Sequence, residues 1–349
     1  MIRIGILGFA HGHIHQIAGQ WREHPEYGVE CVYGWDHDRE RAEKGCADHG
    51  LTRCETAEEL LNKDISAVII TSETDLHAPL VEMAAAAGKD IILYKPMALN
   101  MAEADRIVNA VERAGVRFTM AWQMRVDPQN IKMRDLIRSG ELGRPVLYRR
   151  RHCLATHTWP WFADSWHAQR ERNRDIFADD SSHPVNMMQW MFGMPETVTC
   201  EMSTMVDPRI PNDNGVALFR YPDGLICEIS CSFTCSASEI TTEIYLDKGS
   251  IQQYNGDAPA TRLPQTIPGL KWYREGDADW TVSDIPSPPA HSLRLGWQAK
   301  PLAEFLQGGE PVCTAREGRD TLRLVLACYV SAKEGRRVYV YDPAVTAIE

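Results

Sequence analysis

Asp179 and His183 stand four positions apart, so on a helical turn both side chains face one cleft. Removing a hydride from a secondary alcohol leaves a hydroxyl proton to be accepted, and an imidazole can take it near neutral pH. A lone histidine is more often a satisfied structural residue, so the pair alone leaves both readings open. A second concentration of chemistry lies near the start, where Gly8-Phe9-Ala10-His11-Gly12-His13 follows a short apolar run. A dinucleotide-binding turn, G-x-G-x-x-G, lets the backbone approach a pyrophosphate at a helix N-terminus. Gly8 fits its first position, while Ala10 and His13 replace the other two glycines. Asp36 ends the second apolar run. A carboxylate there can accept ribose hydroxyls and repel a 2′-phosphate, so NAD is expected over NADP; helix capping is the plain alternative.

Other clusters invite a metal or a sugar. His11, His13 and His15 alternate, but residues two apart at a helix start diverge by about 200°, so one ion could hardly take all three. Hydrogen bonding near a pyrophosphate or substrate is the better functional reading, with capping or packing as the bland one. Cys227, Cys231 and Cys235 share one strand face with no histidine between them, and none of the ten cysteines forms C-x-x-C. Buried reduced thiols are expected, and no metal. Trp159, Trp161, Trp166 and His167 precede Arg170, Arg172 and Arg174. Aromatic faces stack on the C–H faces of sugar rings, and an Arg fork pairs with carboxylate or phosphate; a Trp-rich subunit interface with solvated arginines competes equally.

The elements that must position these residues change character along the chain. Apolar runs at 2–7, 29–35, 65–70, 91–94 and 116–121 alternate with helical segments at 14–24, 39–49 and 77–87 and a three-four apolar stripe from Met101 to Val111. Strands apolar throughout are covered on both faces, which predicts a parallel, doubly wound α/β sheet over residues 1–122. After a helix at 127–138 and a turn cluster at 139–145, the pattern becomes strand-turn-strand from 197 to 253. This predicts a second α+β domain, 123–349, on an open, mainly antiparallel sheet. The proline-rich stretch 255–291 reads as a surface loop or arm. Helices are expected at 302–306 and 321–332.

Composition narrows the class. The chain has 349 residues, 44% hydrophobic and 24% charged, and no apolar run nears the roughly 18 residues of a membrane span. Its net charge of −11 repels phosphate backbones, so neither nucleic acid nor membrane is an expected partner. The first residues run straight into a strand pattern without an apolar signal region, so the cytoplasm is expected.

An ordered series of motifs resembles the Gfo/Idh/MocA family of glucose-fructose oxidoreductase and inositol dehydrogenase relatives. It comprises the turn at Gly8, Thr71-Ser72-Glu73-Thr74-Asp75-Leu76-His77, Ala87 through Tyr94-Lys95-Pro96-Met97-Ala98, Arg125-Val126-Asp127-Pro128, the turn from Gly140 to Pro145, Asp179 to His183, and the hairpin domain. The resemblance covers nearly the whole chain. It implies that Lys95 is the catalytic lysine beside the nicotinamide, that the bond before Pro96 can be cis, and that Asp179 and His183 take the substrate-binding and acid/base positions. Thr71, Ser72, His77, Lys95 and Pro96 join Gly8, Phe9, Ala10, His11, His13 and Asp36 on the cofactor side. Trp122, Arg125, His152, Trp159, Trp161, Arg170 and Asn186 are expected on the substrate side.

The sequence departs from the family in three places: Tyr94 stands for the usual Glu, Arg174 to Ala178 for the glycines before Asp179, and Asn186 for a second Asp. The implied enzyme is an NAD-dependent dehydrogenase acting on a sugar, polyol or related ring hydroxyl, working as a homodimer or homotetramer. Two alternatives stay open. One is a redox-neutral glycosidase or lyase passing through a transient keto-sugar; the other, disfavoured by Lys95, Asp179 and His183 being present together, is a non-catalytic dinucleotide sensor.

Overall fold

The computed structural model describes residues 1–236, 242–254, 268–286 and 296–348. Six parallel strands, β1 Ile2–Leu7, β2 Val29–Trp35, β3 Thr52–Arg53, β4 Ala67–Ile70, β5 Asp90–Tyr94 and β6 Phe118–Ala121, form the first sheet in the order β3-β2-β1-β4-β5-β6. Ile4, Ile6, Ile69, Ile70, Ile91 and Ile92 are wholly buried because helices cover both faces. The chain reverses its winding between β1 and β4, so the turn at Gly8 and the segment from Thr71 to His77 open side by side at the carboxyl edge, where such sheets bind ligands. Gly8 makes this approach possible: its φ is +91°, and a Cβ there would sit 2.5 Å from the Ser72 backbone. The Gly8 N–H bonds the Trp35 carbonyl and the His11 N–H the Thr71 carbonyl.

The second sheet has nine strands: β7 Pro145–Cys153, β8 Thr197–Ser203, β9 Asn214–Arg220, β10 Ile226–Ser232, β11 Thr242–Leu246, β12 Gly249–Gln253, β13 Leu270–Arg274, β14 Thr281–Val282 and β15 Val338–Tyr339. Their order is β14-β13-β12-β11-β7-β10-β9-β8-β15, antiparallel except for the pair β7–β10. Helices Ser182–Phe192 and Ala315–Glu334 pack together on it.

Three differences from the sequence reading stand out. The short elements β3 and the helix Ala57–Leu61 had no periodicity long enough to register. The stretch read as loop contributes β13 and the two-residue β14 beside it; the buried Leu270 of β13 faces the core while its next three residues are half-buried, so clean alternation is absent; 255–267 and 287–291 lie outside the described residues. Finally, the helix Ala299–Leu306 returns to the first domain. Its Ala299, Leu302 and Phe305 share a core with Ile4, Ile6 and Trp21, and the Trp21 indole N–H donates to the Ala299 carbonyl at 2.7 Å. The boundary in sequence at 122 is therefore not the boundary in space.

All ten cysteines are free thiols. Among the described residues no helix is long and apolar enough to cross a membrane, and no group of three His, Cys, Asp or Glu side chains is placed to hold a metal.

Candidate active site

The helix His13–Glu23 begins at Gly12 with no side-chain cap and no acid in its first turn. The N–H groups of His13, Ile14 and His15 make only long contacts, 3.2 to 3.5 Å, with His11 Nδ1 and the His11 and Gly12 carbonyls, and the positive end of the helix dipole faces the turn, where an anion is favoured. Buried beside it, His11 carries an Nε2 with no hydrogen-bond partner. With the close Gly8–Ser72 approach, this uncapped turn fits a dinucleotide pyrophosphate. His77 is wholly buried, its ring nitrogens set against the Pro96 and Ser72 carbonyls at 2.9 and 3.3 Å; it ties the segments after β4 and β5 together. Burial, opposed by those carbonyls, pulls its pKa down to about 4.

Asp36 does not offer a free carboxylate to a ribose. Its oxygens already accept from the N–H groups of Phe9 and Asp38 and from both arms of the Arg41 guanidinium at 2.7 and 2.8 Å. Its side chain is fully buried. Arg41 also donates to Glu73 at 2.8 Å, and His37 pairs with the same carboxylate at 3.0 Å. Asp36 thus holds the turn and Arg41, and the carboxylates near the β2 end act as a paired group.

Next to the uncapped turn lies a cavity of about 370 Å³ lined by His11, Gly12, His13, Lys95, Gln123, His152, Leu154, Trp159, Trp161, Phe162, His167, Ile176, Asp179, Asp180 and His183. Lys95 follows β5 on a cis Lys95–Pro96 bond, and its Nζ donates to Asp179 Oδ1 at 2.7 Å. The other Asp179 oxygen meets His167 Nδ1 at 2.7 Å. Burial alone would raise the Asp179 pKa, but the Lys95 and His167 charges and hydrogen bonds outweigh it and hold the carboxyl well below the usual carboxylate range.

His183 faces the same space from a different helix, because the short helix Ile176–Asp180 ends before Ser182–Phe192 begins. It therefore leans on Asp180, with Nε2 3.9 Å from Oδ1, and not on Asp179. Asp180 Oδ2 pairs with His152 Nε2 at 2.7 Å. Burial, and then the nearby Lys95, push the His183 pKa well down, so the ring is neutral; its Nδ1 has no partner.

Of the expected substrate residues, His152, Trp159 and Trp161 line the cavity, the two indoles stacked 5.8 Å apart at 10°. Four do not. Arg125 is tied through Nε to Asn186 at 2.8 Å and through Nη1 to Glu317 at 2.7 Å. Asn186 also donates to Thr321, so both belong to an interior network under the helix Ala315–Glu334. Trp122 is buried against His183 behind the cavity wall, and Arg170 points to solvent. Its neighbours Arg172 and Arg174 are spent on Asp75 and the Leu99 carbonyl.

The sequence reading passed over Asp180, His167 as a site residue, and the Tyr94 network. Tyr94, in the place of the usual Glu, is kept neutral by burial. Its hydroxyl meets His13 Nδ1 and accepts from Gln298 at 3.0 Å. An Asp-Asp pair at 179–180 and a histidine twelve residues earlier were the available signals.

Comparison with known proteins decides the lineage. The family model for the NAD-binding Rossmann fold of the oxidoreductase family matches residues 2–122, and the GFO/IDH/MocA C-terminal domain matches residues 130–252. The chain belongs to the GFO/IDH/MocA family. As a GFO/IDH/MocA oxidoreductase it takes NAD on its first domain, where the uncapped helix and the Gly8 turn fit that cofactor. It is 27% identical to a D-apiose dehydrogenase of Paraburkholderia graminis, over 99% of this chain and 92% of that protein. It is 25% identical to a 1,5-anhydro-D-fructose reductase of Ensifer adhaerens, over 88% and 90%. Its fold matches that of a levoglucosan dehydrogenase solved with NADH and levoglucosan, with TM-score 0.82, 19% identity and coverage of 98% and 100%.

Proposed function

We propose that this GFO/IDH/MocA enzyme transfers a hydride between NAD and a ring hydroxyl or ketone of a sugar or polyol, using Lys95, Asp179 and His183. The observation that carries this reading is the Lys95–Asp179 pair, 2.7 Å apart, facing one cavity with a neutral His183 and the stacked Trp159 and Trp161. Lys95 spends its shortest hydrogen bond on Asp179, leaving donor capacity for a substrate oxygen. There the ammonium stabilises the negative charge that grows on oxygen as the C–H hydride departs. Asp179 fixes where that ammonium stands. His183 adds a neutral ring nitrogen toward the same hydroxyl, and the hydroxyl proton passes to an imidazole facing this space. When bound, NAD⁺ supplies the hydride acceptor. The indoles offer flat apolar faces to the C–H side of a ring. Relatives named for D-apiose, 1,5-anhydro-D-fructose and levoglucosan support a compact sugar.

The test is a panel of sugars, polyols and glycosides incubated with NAD⁺ and scored for both NADH and bond cleavage. One NADH per substrate consumed is expected. Cleavage of a glycoside with catalytic NAD⁺ and no accumulating NADH would replace dehydrogenation by the redox-neutral reaction. Two further readings belong here. Ten free thiols fit a reducing compartment such as the cytoplasm. Exposed Val216, Leu218 and Ile226 on neighbouring strands β9 and β10 support a homodimer or homotetramer, which sedimentation would reveal.

A further inference from the structure

We infer that His167, which lies outside the set the family resemblance singles out, is the group that accepts the substrate's hydroxyl proton; this rests on the dehydrogenase reading above and places the acid/base within it. His167 Nδ1 sits 2.7 Å from Asp179 Oδ2, and since a carboxylate only accepts, Nδ1 carries the hydrogen. The lone pair is thereby left on Nε2, which makes no hydrogen bond among the described residues. A carboxylate that orients an imidazole and leaves its far nitrogen basic is the general arrangement of an acid/base histidine. The ring is locked in place: it stacks on Trp166 at 3.9 Å and Phe162 at 5.7 Å and meets His11 edge-on at 5.7 Å.

Access separates the two candidates. The His167 side chain is 16% exposed, against 4% for Lys95 and Asp179 and 2% for His183. A proton taken by His167 can leave to water. A proton taken by His183 would create a buried cation near Lys95, with its nearest carboxylate, on Asp180, 3.9 Å away; burying a second positive charge there is costly. On His167 the proton sits on Nε2 and the positive charge it creates is paired with Asp179 through the Nδ1–H. The charged or titratable groups facing the ring are Asp179, Lys95 beyond it, and His11.

In the oxidative direction the C–H bond breaks with its electron pair passing as hydride to NAD⁺. The O–H proton moves to His167 Nε2, the carbonyl forms, and His167 then returns its proton to solvent. Lys95 stays protonated throughout, and His183 is a binding residue for the same hydroxyl.

His167→Asn keeps an N–H toward Asp179 and removes the base. The expected result is a fall in kcat of about 10²-fold or more, unchanged NAD⁺ affinity by calorimetry, loss of the acidic limb of the kcat–pH profile, and partial rescue by added imidazole in His167→Gly. His183→Asn should raise KM and keep that limb. A His167→Asn enzyme within about threefold of wild-type kcat with the same profile overturns the inference, as does a limb that disappears with His183 instead. If the wild type oxidises no sugar or polyol, the substrate reading fails, and His167 is judged by ¹⁵N NMR of the NAD⁺-bound enzyme. An Nδ1–H tautomer with a titrating Nε2 supports it; an Nε2–H tautomer overturns it.

Discussion

At the β2 end of the cofactor edge, Asp36 accepts four hydrogen bonds and Arg41 bridges it to Glu73, with His37 closing the cluster. At the cavity end, His11 and His183 each bury a ring nitrogen with no hydrogen-bond partner among the described residues, and His167 lines the same space with Nδ1 held by Asp179. Buried polar atoms are nearly always paired, so each exception asks for an explanation. The comparison separates two uses of the same residue types. Where the hydrogen bonds close on themselves, charge holds a shape; where they stop short at the cavity, polar atoms are left available to a ligand.

The largest expected effect tests the open end. Lys95→Ala should lower kcat by about 10² to 10⁴-fold while NAD⁺ still binds; turnover near wild type on a confirmed substrate would show that the cavity's charge is structural after all.

The next effect is on stability and probes a wholly buried histidine outside the cavity. The His77 pKa is about 4 in the folded protein, against about 6.5 when unfolded. As pH falls through that window the unfolded chain gains a proton that the native ring refuses, so native stability is full above about 6.5 and declines toward 4. The loss approaches about 3 kcal/mol. Urea denaturation at several pH values should show a shallower decline for His77→Gln, and equal slopes would remove His77 from the acid sensitivity.

At the closed end, Asp36→Ser frees Arg41 from its bidentate partner, and a guanidinium released there favours a 2′-phosphate. The NAD-over-NADP binding preference should drop by about tenfold, or about 1.4 kcal/mol. An unchanged ratio would mean that the closed cluster plays no part in choosing the cofactor. Smallest of all, Tyr94→Phe removes the hydroxyl shared by His13 and Gln298 and should cost about 1 kcal/mol in melting experiments. A much larger loss of kcat would move Tyr94 from the supporting network into the chemistry.

Long periodic elements were readable from sequence because burial on both faces leaves a continuous apolar run: β1, β2 and the helix Arg39–His49 fall where the pattern placed them. β3 has two residues and β13 sits half-buried near a sheet edge, so neither leaves a pattern. In the site, the four-residue spacing of Asp179 and His183 correctly puts both on the cavity, yet the helix break at Ser181 sends them to different partners. The pairings Asp179–His167 and Asp180–His152 join segments that only the folded chain brings together. Arg125 and Asn186 look functional as polar residues beside a site, and only their mutual bond and Glu317 show that they brace the interior.

The return of the helix Ala299–Leu306 onto the first sheet bears on how the chain is made. Synthesis proceeds from the N-terminus, and domains ordinarily fold as they emerge. Here the layer around Ile4, Ile6 and Trp21 lacks Ala299, Leu302 and Phe305 until most of the polypeptide has left the ribosome. A nascent chain halted after β6 would display an uncovered apolar face, so chaperone engagement should persist through translation of the second sheet and end only when this late helix docks.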